Sequence, residues 1–94
     1  MNALVVGFGS EDTRRLSKEL RTAGHHVVGA VGKLGVRTFL PAISPDVVLV
    51  PEGPDGERAR EWVLEVTRDV DFLDVPPGVD VVKRLARFMR GEPL

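Results

Sequence analysis

The sequence predicts one α/β domain in three layers, with helices on both faces of an open, parallel, four-stranded sheet. Three observations carry that expectation. Short apolar-rich runs alternate with longer amphipathic stretches in the order βαβαβαβα. The runs are nearly continuous in Val, Leu and Ala, the mark of strands buried on both faces rather than on one. A length of 94 residues with 43% apolar content is enough for one core and too little for two.

Each element follows from local chemistry. Ala3-Leu4-Val5-Val6 is an apolar strand that ends at Gly7-Phe8-Gly9. Ser10 offers an N-cap, with Glu11 and Asp12 in the first helical turn where the helix dipole favours carboxylates. Thr13, Leu16, Leu20 and Ala23 recur at helical spacing, and Gly24 ends the helix in the left-handed conformation. Residues 25–31 form a valine-rich second strand. A weaker helix over 33–40 carries Gly35 and is expected to kink or end at Pro41. Ser44-Pro45 blocks further helix, and residues 46–50 are the third strand.

Residues 51–56 (PEGPDG) read as a loop, and 57–69 as the best-defined helix. Ala59, Trp62, Val63, Val66 and Val70 face inward there, while Glu57, Glu61 and Glu65 line the opposite side. Residues 70–75 give a fourth strand, closed by Pro76-Pro77-Gly78. The last helix spans 79–90 and is expected to bury Val82, Leu85, Ala86 and Met89. Right-handed crossovers between parallel strands then distribute the helices over both faces.

Composition excludes several function classes. A formal net charge of −1 argues against nucleic acid as a partner of the chain as a whole. The absence of cysteine removes disulfides, thiolate metal sites and thiol catalysis together. The apolar run near the N-terminus is too short for a signal peptide or membrane span, and Arg14-Arg15 is not followed by an apolar stretch. A cytoplasmic protein with no membrane partner is the expectation. The chain has no Gln and a single Asn, Asn2, a depletion that fits a heat-adapted source.

Three stretches carry a family resemblance. The first is Leu4-Val5-Val6 with a helix closing in Ala23-Gly24 and a strand reading Val27-Val28-Gly29-Ala30. The second is Ser44-Pro45-Asp46-Val47-Val48-Leu49-Val50, and the third is Phe72-Leu73-Asp74-Val75-Pro76. In order and spacing these resemble the receiver domains of response regulators, over most of the chain. The resemblance implies a flavodoxin-like, receiver-like sheet shortened by one βα unit, with strand order 2-1-3-4 and two edge strands. It also implies where phosphorylation chemistry would stand. Receivers end the first strand in an acidic pair that holds Mg²⁺, at the positions of Gly7 and Phe8 here. The phosphoaccepting Asp corresponds to Pro51, and the conserved Lys after the fifth strand to Val75. Phosphoryl transfer needs a carboxylate nucleophile and cations to neutralise developing charge, which none of these four residues supplies. Asp46, Glu52 and Asp55 are the nearest carboxylates to position 51. The expectation is a non-enzymatic regulatory or protein-interaction domain without cofactor.

Rival motifs are weighed against simpler structural roles. Gly7-Phe8-Gly9-Ser10, with Glu52-Gly53 opposite, is the candidate ligand-binding or nucleotide-binding turn, since open α/β sheets bind ligands beyond their strand ends. Against it, Glu11-Asp12 place negative charge where a pyrophosphate would sit, and no acidic residue closes the second strand. Two glycines easing a tight turn explain the motif with less. His25 and His26 are adjacent on a strand, point to opposite faces and form no metal site together. Ser10 as a cap needs no catalytic role.

Charge is uneven. Arg14, Arg15, Lys18 and Arg21 mark the outer side of the first helix, and Lys83, Arg84, Arg87 and Arg90 that of the last, against the acidic ridge of the third. Leu64 on the charged side of the third helix, with Val81 and Phe88 broadening the apolar stripe of the last, and Arg84 and Arg87 beside them, make a candidate interaction surface. The partner expected there is another protein or a second copy in a homodimer.

Overall fold

The computed structural model describes residues 1–94. Eight elements alternate strictly: β1 (Asn2–Val6), α1 (Ser10–Thr22), β2 (His26–Ala30), α2 (Lys33–Ile43), β3 (Val47–Pro51), α3 (Pro54–Leu64), β4 (Asp71–Val75) and α4 (Val81–Met89). All three strand pairings are parallel and the order is β2-β1-β3-β4. This is the three-layer, open α/β sheet expected, consistent with a flavodoxin-like fold.

Successive residues along each strand serve different layers, as the pleat dictates. Ala3, Val5, Val47, Leu49, Leu73 and Val75 face α1 and α4, where Leu16, Leu20, Val81 and Leu85 meet them. Leu4, Val6, Val48 and Val50 face α2 and α3, against Val36, Leu40, Ala59 and Val63. Four strands about 4.8 Å apart make a sheet some 15–20 Å wide, and two helices packed about 10 Å apart cover such a face. Two helices lie on each side, so the short sheet has no bare face. Burying Leu16 and Leu20 of α1 alone contributes about 4 kcal/mol.

Helix ends depart from expectation in instructive ways. The N-cap of α1 is Gly9, and Ser10 is the first helical residue with no capping hydrogen bond. The acidic Glu11 and Asp12 still occupy the first turn. At the other end Gly24 has φ +97°, with Gly24 N donating to Arg21 O and His25 N to Leu20 O, a Schellman closure. Ala23 is exposed, and Ser17 takes the place expected for it in the buried stripe. Helix α2 continues through Pro41 to Ile43 before Ser44 turns left-handed at φ 44°. Both Pro41 and Arg37, whose carbonyl loses its donor, are exposed, so water can satisfy that carbonyl.

Helix α3 begins within the expected loop, with Pro54 in its first turn, and ends at Leu64 rather than running to 69. Its eleven residues span about 16 Å, matching the five-residue strands beside it, so the chain has already crossed the sheet. Val66 is therefore exposed and Val70 only half-buried, contrary to the predicted stripe. Helix α4 starts two residues later than expected because Asp80 caps it, its Oδ1 accepting from Val82 N at 3.1 Å and Lys83 N at 3.2 Å. That start sets the rotation. Val81 and Leu85 are fully buried with Phe88 packed beside them, while Met89 is 50% exposed.

Two arginines cap the open edges of the sheet. Arg21 Nη2 of α1 donates to Val27 O of β2 at 2.8 Å, and Arg84 Nε of α4 donates to Asp74 O of β4. No helix is long and apolar enough to cross a membrane.

Candidate functional site

Parallel strands all end on one side of the sheet, and the loops that follow them form a rim there. Gly7 must be glycine: φ is +91°, and a Cβ would stand 2.9 Å from Ala59 Cβ. At the end of β3, α3 approaches so closely that a Cβ on Gly56 would lie 1.8 Å from Pro51 O. These two approaches pull α3 onto the strand ends and fix the level of Glu52 and Gly53, the lip between β3 and α3.

Beside that lip lies a cleft of ≈ 640 Å³. Phe8 after β1, Pro51 at the end of β3 and Val75 at the end of β4 all line it. Pro76, Pro77 and Val79 close it toward α4, and Leu16 forms part of its wall from α1. Asp12 and Arg15 stand at the mouth, paired with each other at 3.3 Å, with Glu52 and Gly53 across from them. A second, smaller pocket of ≈ 300 Å³ shares Pro51, Glu52 and Gly53 and continues to Glu57, Arg60 and Asp74. None of its lining is hydrophobic. Arg60 is committed there: its Nη2 lies 2.6 Å from Asp74 Oδ1 and its guanidinium stacks 4.8 Å from the Phe72 ring centre.

Of the four positions Gly7, Phe8, Pro51 and Val75 singled out in the sequence, three share one cleft: Phe8, Pro51 and Val75. Gly7 does not line it. Of the candidate ligand turn, Phe8, Glu52 and Gly53 reach the cleft, while Gly7, Gly9 and Ser10 stay outside and pack or face solvent. Sequence reasoning missed Asp12, Arg15, Pro76, Val79, Glu57 and Asp74. The Pro-Pro-Gly run was legible as the loop after β4, and parallel topology alone would have brought it to the same rim.

The expected interaction surface is corrected at one position. Val81 is fully buried against the sheet, as the first residue of the helix that Asp80 caps. Phe88 is half-buried, Arg84 holds the β4 edge, and Leu64 and Arg87 are exposed. The acidic ridge is partly neutralised, since Glu65 pairs with Lys33 at 3.2 Å and Arg37 at 3.5 Å across to α2. Glu57 and Glu61 have no ion-pair partner.

At the opposite end of the sheet, His25 and His26 line a separate recess of ≈ 480 Å³ with Asn2 and Arg21. His25 Nδ1 is buried without a hydrogen-bond partner. Burial, with the nearby N-terminal ammonium, holds its pKa below 6.5. No group of three or more metal-ligating side chains occurs.

Fold and rim together define an open α/β protein whose strand ends open into a cleft with apolar walls and carboxylates at its border. No protein-family model matches the chain, and no curated protein matches it. Among solved structures it is similar to a fusion containing the trimeric coiled coil of yeast Spc42, amino acids 181–211. The TM-score is 0.63 at 16% identity, over 90% of this chain and 58% of that one. A coiled coil contains no sheet, so the likeness falls on the rest of that fusion and concerns the fold alone.

Proposed function

We propose that this protein is a pseudo-receiver: a cytoplasmic, non-enzymatic domain that keeps a receiver-like scaffold and acts by binding protein. The observation that carries the reading is the shared cleft, where Phe8, Pro51 and Val75 stand in place of a metal-binding acid, a phosphoacceptor and a lysine. An in-line phosphoryl transfer there would lack both nucleophile and cation clamp. Strand-end loops on a rigid α/β scaffold remain a favourable place for recognition.

Treatment of the purified protein with acetyl phosphate and Mg²⁺, followed by intact-mass measurement, tests the reading. The expected spectrum is unchanged, and a gain of one phosphoryl group overturns it. Self-association, the other expectation for this surface, rests on exposed Leu64 and Met89 with half-buried Phe88. Light scattering across a concentration series decides between a homodimer and a separate partner. The rival nucleotide-binding reading puts an anion at the start of α1, where Glu11 and Asp12 oppose it.

A further inference from the structure

We propose that the strand-end rim is a two-part docking site for a basic segment of another protein. An apolar side chain of that segment occupies the cleft, and a neighbouring lysine or arginine occupies the polar pocket beside it. The proposal rests on the interaction-domain reading and supplies the chemistry of the partner.

The two cavities adjoin, because Pro51, Glu52 and Gly53 border both. Their linings differ in kind. The larger offers Phe8, Leu16, Val75 and Val79 together with three prolines, a rigid set of apolar walls with room to spare for a large side chain. The smaller is wholly polar. Four carboxylates border the pair, from Asp12, Glu52, Glu57 and Asp74, against two guanidiniums, from Arg15 and Arg60. Both guanidiniums are already held, Arg15 by Asp12 and Glu19 and Arg60 by Asp74. Glu52 and Glu57 face the shared lip with no cation of their own. The rim is therefore two negative charges in excess, and a partner's cation completes it.

Gly53 leaves the lip open, since a Cβ there would meet nothing within 4 Å, so backbone can pass close over the junction between the cavities. The occupant is a different protein rather than a second copy. Exposed Lys33 and Arg37 are already paired with Glu65, and Arg58 with Asp55. The exposed cations left without a partner, Arg68 and those on α1 and α4 such as Lys83 and Arg87, lie outside both pockets, so setting them on a neighbour's rim makes a heterologous, head-to-tail contact rather than a two-fold one.

Selection of short random peptides displayed on phage against the full-length protein tests the proposal, followed by amide-shift mapping with one enriched peptide made synthetically. The expected peptides pair an aromatic or branched apolar residue with a nearby Lys or Arg and shift the amides of Phe8, Glu52, Gly53 and Val75. Glu52→Lys combined with Glu57→Lys, both at exposed positions, weakens binding about tenfold or more. Lys83→Glu combined with Arg87→Glu, neither of which lines either pocket, leaves it unchanged. Selection that yields no binder, binders without a cation, or binding indifferent to the Glu52/Glu57 reversal overturns the site. An acidic consensus whose shifts map to α1 and α4 also overturns it, while leaving the interaction-domain reading intact. That reading fails separately, through phosphoryl gain in the mass measurement.

Discussion

Replacing Gly56 by alanine should cost far more than a methyl group on an exposed loop. The added Cβ would stand 1.8 Å from the Pro51 carbonyl oxygen, where an ordinary carbon–oxygen contact is about 3.3 Å. Backbone lies on both sides of that contact, so no side chain can swing away. The first turn of α3 must retreat by about 1.5 Å, which lifts Ala59 and Val63 from a face where both are fully buried. Overpacking of this kind costs about 1–3 kcal/mol, and the partial gap beneath α3 places Gly56→Ala at the upper end. Better helix propensity returns at most about 1 kcal/mol, less so close to the helix start. The net loss is about 2 kcal/mol, which for a domain of this size lowers Tm by roughly 10 °C. Urea and thermal unfolding followed by circular dichroism measure it, with Gly9→Ala as the control. Gly9 has φ −65° and open space around it, so its substitution should stay within about 0.5 kcal/mol of the parent. A Gly56→Ala protein as stable as that control would refute the claim that close backbone approach seats α3.

Two further outcomes follow from the same structure. Val81→Ala should cost about 2 kcal/mol in urea unfolding, whereas Met89→Ala, at a half-exposed position, should cost less than about 0.5 kcal/mol. The reverse order would mean that α4 is rotated by one position. Burial of His25 opposes its protonated form, so folding favours the neutral ring. Its stabilising preference is fully expressed above pH 6.5 and is eroded as pH falls through the lowered value in the folded protein. Urea midpoints measured across this range should decline toward acid, and His25→Asn should flatten that part of the profile. An unchanged slope in the variant would remove His25 as its source.

What was legible in the sequence was whatever depends on one element at a time. Leu4-Val5-Val6 and Val47-Val48-Leu49-Val50 are apolar without interruption, which only a doubly covered strand explains. Sheet order is not a property of any one element, and the order 2-1-3-4 was expected only from the receiver resemblance. Helix phase was less legible. In α4, the sets 82, 85, 86, 89 and 81, 85, 88 both obey helical spacing, and only the Asp80 cap selects the second. Pro41 was read as an end, although a proline whose orphaned carbonyl faces water interrupts little. At the rim, Phe8, Pro51 and Val75 could be placed together because each sits at or just beyond a strand end. The polar pocket could not be anticipated. It depends on Arg60 reaching Asp74 across fourteen residues, and that reach exists only because α3 starts at Pro54.

The arginines on the outer strands have a consequence for how the molecule meets others. A guanidinium seated on Val27 O and another on Asp74 O each occupy one carbonyl of an outer strand. Four strands in a small chain are otherwise prone to stacking into longer ribbons, with every molecule extending the last. With a carbonyl already engaged and a bulky charged group beside it on either margin, strand addition is handicapped there, and recognition is favoured at strand tips and helix surfaces.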